Sequence, residues 1–117
     1  MASYNKVGAA EGGRTVLHDT LELTGAEISV NNVPAGGGVP FFHAHKKNEE
    51  IYYIISGKGT AIIDGETVAL EAGDWVRISP PARRKFCAAE DSPMSYICIQ
   101  VRENSLEEFT GEDAIMG

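Results

Sequence analysis

The sequence predicts an all-β sandwich or barrel, on three observations. Apolar and polar residues alternate in one segment after another, with Glu66–Glu71 and Met94–Arg102 the clearest cases. The segments are short and end at turn signals: Thr24-Gly25, Asp64-Gly65, Ala72-Gly73, Pro80-Pro81 and Asp91-Ser92-Pro93. No segment sustains the roughly 3.6-residue apolar period of an amphipathic helix.

Residues 1–13, which end in Ala9-Ala10-Glu11-Gly12-Gly13, read as a flexible lead-in to one domain over 14–109. Arg14–Asp19 is expected to be the first strand, with Val16 and His18 on one face. His18 reads as a structural or surface histidine, with a place near a bound metal as the alternative. Glu27–Val33 alternates as a half-buried strand. Pro34–Pro40 holds three consecutive glycines between two prolines and predicts an irregular bend. A phosphate-cradling loop is excluded, because neither GK[ST] nor a following helix accompanies the glycines. Glu50–Ser56 and Lys58–Asp64 are expected to form a hairpin around Gly57. Asp64-Gly65 is a type I′ turn signal that leads into Glu66–Glu71. Asp74–Ser79, Arg84–Ala89 and Met94–Arg102 complete the strands. Leu106–Phe109 is expected to make one helical turn, with Ser105 as its cap, and residues 110–117 form a polar tail.

Composition narrows the function. A chain of 117 residues with 43% apolar and 23% charged residues has the size and make-up of one globular domain. A net charge of −7 argues against binding nucleic acid or an anionic membrane surface. There is no apolar run long enough for a transmembrane helix and no apolar stretch after Met1 to make a signal peptide, so a cytoplasmic location is expected. Cys87 and Cys98 are too few for a disulfide framework and read as small apolar fillers.

The chemistry concentrates at His43-Ala44-His45, followed by Glu49-Glu50 and the apolar run Ile51–Ile55. In an extended chain residues i and i+2 point to the same side, so both imidazoles can face one point. A polar turn through Lys46, Lys47 and Asn48 lets the chain fold back and bring in a carboxylate. Glu50 is favoured over Glu49 because it is in step with Tyr52 and Ile54. Two imidazoles and a carboxylate on one side of an ion form a facial triad with open positions.

The pattern is specific: Gly37, five residues, His43-Ala44-His45, four residues, Glu50, six residues, Gly57. It resembles the first signature motif of the cupin superfamily, and EEIYYIISGKG is similar to that motif's strand and turn. The resemblance covers about residues 28–101. It implies a cupin-type double-stranded β-helix, a jelly-roll barrel of two antiparallel sheets. It also implies one divalent metal ion (Fe, Zn, Mn or Ni) on His43, His45 and Glu50. Gly73–Pro81 resembles the strand and proline turn of the family's second motif. The histidine that follows there, usually a fourth ligand, is missing. Alignment on the prolines puts Arg84 in its place, and a guanidinium has no lone pair for a metal.

Arg77, Arg83, Arg84 and Lys85 form the densest basic cluster. Arg84 is read either as a rim charge or as a fork that grips a substrate carboxylate or phosphate. The cavity wall is expected to draw on Arg84, Arg77, Tyr52, Trp75, Phe86, Tyr96 and Gln100, with Phe41 and Cys98. The resemblance admits a metal-dependent oxidation or isomerisation of a small organic molecule, anionic on the second reading of Arg84. The second reading of function is a non-catalytic ligand-binding or sensing module, and the third a metal-free fold with vestigial ligands. Ile51, Tyr53 and Ile55 cannot share an interior with Glu50, Tyr52 and Ile54. One set needs outside cover, from the N-terminal strands or from a second copy in a homodimer.

Overall fold

Strand β3, Asn48–Ile63, belongs to both sheets and organises the molecule. The computed structural model describes residues 3–108 and 110–117. Around β3 lie β1 (Arg14–Val16), β2 (Glu27–Val33), β4 (Glu66–Glu71), β5 (Trp75–Ile78), β6 (Arg84–Ala88) and β7 (Met94–Arg102). Two single-turn helices, α1 (His18–Leu21) and α2 (Thr110–Asp113), flank the strands. The first half of β3 sits between β5 and β7, and the sheet continues through β2 to β1. Its second half sits between β4 and β6. Every pairing is antiparallel.

The expected hairpin at Gly57 is corrected here, because the chain does not reverse. The register against β7 slips between Ile54 and Ser56, which marks a bulge. Gly57 follows with φ 78°, and the strand bends from one sheet into the other. A side chain cannot replace it: a Cβ there would lie 1.8 Å from the Pro93 carbonyl oxygen. Positive φ at a glycine serves a reversal and a bulge equally well locally, and contact with the distant Pro93 selects the bulge.

Other elements follow the local signals. Asp64 and Gly65 have φ 47° and 83°, the left-handed pair of a type I′ turn, and β4 pairs back from it. β1 ends at Val16 rather than Asp19, and α1 follows it. His18 lies in α1, exposed, with Nδ1 2.8 Å from Asp19 Oδ1. Residues 105–108 contain no helix, and Phe109, the end of the expected turn, lies outside the described residues. No helix among the described residues is long and apolar enough to cross a membrane.

Alternation along β3 sorts its side chains. Glu50, Tyr52, Ile54 and Ala61 are buried with Leu70, Ile78, Phe86, Met94 and Tyr96. Ile54 and Met94 have no exposed surface. Ile51 and Tyr53 face outward, and Ile55 is 43% exposed. Antiparallel register places Trp75 opposite Tyr53 and Arg77 opposite Ile51, so both belong to this outer face. Their expected place in the cavity wall is therefore corrected. Trp75 is 65% exposed and lies against Tyr53, with ring centroids 4.4 Å apart. Arg77 donates to Glu49 at 2.6 Å and to Glu103 at 3.0 Å. Alternation divides β5 into two faces correctly, but it does not say which face the barrel encloses.

Candidate metal centre and cavity

His43 and His45 are held by backbone hydrogen bonds to the loop and strand that follow β5. The His43 and Arg84 main chains donate to each other at 3.1 and 3.0 Å, and the His45 amide donates to the Pro80 carbonyl at 2.9 Å. This extended segment borders β6 and turns both rings inward, with centroids 5.4 Å apart. Ala44, between them, faces out. Glu50 approaches from β3, and its side chain is almost wholly buried. One ligand atom each from His43, His45 and Glu50 lie within 4.8 Å of one another.

Glu50 is the hub of the centre. Its Oε2 lies 3.0 Å from His45 Nε2 and accepts from the Cys98 thiol at 3.4 Å. Its Oε1 accepts from the Tyr52 hydroxyl at 2.7 Å and lies 3.3 Å from Arg84 Nη1. The Glu49 carboxylate is on the other side of the sheet with Arg77. A buried carboxylate is costly unless it is paired and hydrogen-bonded, and Arg84 supplies the counter-charge.

Arg84 is therefore neither a rim charge nor a substrate fork. It has no exposed surface, does not line the cavity, and donates through Nη2 to the Ser79 carbonyl at 2.7 Å. Its Nε and Nη1 make no well-formed hydrogen bond. Its charge is turned on Glu50 instead, at 3.3 Å from Nη1 to Oε1.

Above the centre is a cavity of about 660 Å³. Tyr52, Phe86, Tyr96, Cys98 and Gln100 line it. Tyr52 stacks on Phe86 at 4.1 Å, and Phe41 contributes at the exposed mouth. Arg14, Ser29 and Asn31 also line it, and sequence reasoning missed all three. The available signal was the alternation of Ser29 with Asn31 on a half-apolar strand.

Burial lowers the His43 pKa from 6.5, with Arg84, His45 and Arg14 adding to the effect and Glu50 opposing it. The neutral imidazole, the form that binds a metal, is thereby favoured. Burial pushes the Cys98 thiol up to about 12, reinforced by Glu50, and pushes the Tyr52 hydroxyl far above its usual range. The donor set therefore fits a divalent ion: two imidazoles, one of them biased toward its neutral form, and a buried carboxylate, with the cavity side open.

Comparisons agree with this architecture. The cupin domain family matches residues 30–100. The crystal structure of a cupin protein from Bacteroides fragilis is 54% identical, with a TM-score of 0.96 over 100% of this chain and 99% of that one. An uncharacterised protein of Methanocaldococcus jannaschii is 27% identical over 85 residues, 73% of this chain and 68% of its own length. A predicted oxalate decarboxylase from Thermotoga maritima has a TM-score of 0.60 at 23% identity over 64% of each chain, a likeness of fold alone.

Proposed function

Because the chain belongs to the cupin family, we propose that it is a metal-dependent enzyme of the oxidising or isomerising kind acting on a small organic molecule. One observation carries this reading: the donors of His43, His45 and Glu50 converge within 4.8 Å on the wall of a cavity of ligand size. A divalent ion held there supplies Lewis acidity to a carbonyl, hydroxyl or water oxygen.

The protein's own groups set the conditions. Arg84 and the Tyr52 hydroxyl hold the Glu50 carboxylate in place by charge and by a 2.7 Å hydrogen bond. Tyr52, Phe86 and Tyr96 form an aromatic floor that excludes water from one side of a bound molecule. Asn48 donates to Gln100 Oε1 at 3.3 Å and orients that amide at the cavity wall.

A ligand-binding or sensing module is the second reading. It is favoured by the raised pKa values of Tyr52, Tyr96 and Cys98, which leave these lining groups protonated near neutral pH and poor as bases. The outer face of Tyr53, Ile55 and Trp75 supports a homodimer, because such an apolar surface is costly to leave in water.

The test is metal analysis of protein purified without added metal or a histidine tag, followed by turnover assays with small-molecule mixtures. About one divalent ion per chain and metal-dependent consumption of a compound are expected. Stoichiometric metal persisting in a His43→Ala/His45→Ala double variant would overturn the metal site. Saturable binding without consumption selects the sensing module.

A further inference from the structure

The cavity has a second polar region, away from the three donors. Register places Arg14 opposite Asn31, Asn31 opposite Tyr96, and Tyr96 opposite Ile54. The metal-centre row is Glu50 and Gln100. Ile54 lies four steps along β3 from Glu50, about 13 Å on an extended strand. The two rows thus lie toward different ends of one cavity, with Tyr52, Cys98 and Ser29 in the row between. Asn31 donates from Nδ2 to Ser29 Oγ at 3.0 Å, so its amide is held against the wall.

Charge in this space is one-sided. The chain has 17 acidic residues against 10 lysines and arginines, yet Glu50 is the one carboxylate lining the cavity among the described residues. That carboxylate already faces Arg84 and the two imidazoles. Arg14 forms no salt bridge among the described residues. Its charge reaches the interior: burial pushes the Tyr96 hydroxyl up to about 12, Cys98 reinforces this, and Arg14 opposes it. Arg14 is exposed where it lines the cavity, and a divalent ion on the three donors would leave that lining with more positive than negative charge, which a bound anion would offset.

We propose that Arg14, with Asn31, forms an anion subsite, and that the cavity takes a small two-headed acid. One oxygen-bearing end faces His43, His45 and Glu50, and a second oxyanion, carboxylate or phosphonate, meets the Arg14 guanidinium. A guanidinium fork binds either oxyanion through paired N–H donors, and the aromatic floor packs against the connecting carbons. Arg14 is in this sense a specificity-determining residue. The proposal rests on the metal-site reading for one end of the ligand only.

The test is calorimetric titration of the zinc-loaded full chain with succinate, glutarate, adipate and phosphonoacetate, and with butyrate as the single-headed control. Metal content is measured on the same samples. One diacid length should bind best and should exceed butyrate. Arg14→Gln should weaken that diacid about tenfold or more, the scale of a charge-assisted hydrogen bond, and leave butyrate unchanged. Arg14→Lys should retain part of the affinity. Arg83→Gln, which removes an exposed charge outside the cavity, should change nothing. Phosphonoacetate binding more tightly than every diacid in an Arg14-dependent way identifies the second head as a phosphonate-like group and also supports the subsite. Equal diacid binding by wild type and Arg14→Gln, or no preference for any two-headed acid over butyrate, overturns the proposal. Arg14-dependent binding by protein that retains no zinc upholds the subsite while removing the metal reading.

Discussion

Replacing Arg84 with methionine removes the counter-charge of the carboxylate at the centre of the site while nearly keeping its volume. The guanidinium lies 3.3 Å from Glu50 Oε1, and neither side chain has appreciable exposed surface. Removing one partner of a buried pair leaves an uncompensated charge and costs ~3–5 kcal/mol. The change also deletes two donors, Nε and Nη1, that lack well-formed hydrogen bonds, which offsets part of the loss. We expect the metal-free Arg84→Met protein to be about 2–4 kcal/mol less stable than wild type, a large share of a domain's ~5–15 kcal/mol. Bound metal supplies a replacement cation to the same carboxylate, so the loss should shrink to about 1 kcal/mol when both proteins are loaded. Urea unfolding followed by circular dichroism, with and without zinc, measures both differences. Trp75 is a poor fluorescent reporter because it is 65% exposed already. Equal losses with and without metal would refute the claim that Arg84 and the ion share Glu50. A metal-free variant as stable as wild type would refute its role as counter-charge.

Three further predictions follow from the same geometry. Metal occupancy should fall as acid protonates the histidine ligands; because the His43 pKa is lowered from 6.5, its share of that loss should come below the usual imidazole range, as read by metal retention after dialysis across a pH series. Gly57→Ala should destabilise the fold by more than about 2 kcal/mol, since the left-handed conformation alone costs ~1–2 kcal/mol and the new Cβ meets the Pro93 carbonyl; an unchanged melting temperature would contradict the bulge. If two copies pair through the outer sheet, light scattering at micromolar concentration should give a dimer mass, and Trp75→Glu should shift it to monomer. A monomer mass for the wild type rejects the pairing.

Local rules reach a definite depth in this chain and then stop. Period-two alternation located β2, β4 and β7 because each strand buries one face, and the Asp64-Gly65 turn was legible because few residue pairs accept positive φ twice. Convergence of His43, His45 and Glu50 was legible too, since i, i+2 geometry and one short return loop bring them together. What distant strands contribute could not be read this way. Alternation defines two faces of β5 without saying which one is enclosed, and closure of the barrel put Trp75 and Arg77 outside. The Pro93 carbonyl makes Gly57 a bulge rather than a reversal. Pairing with β3 and with the His43 segment buried Arg84 against Glu50, while pairing with β2 brought Arg14 to the cavity. A side chain's charge is written in the sequence, but its partner depends on which strands lie side by side, and that is settled by burial over the whole sheet.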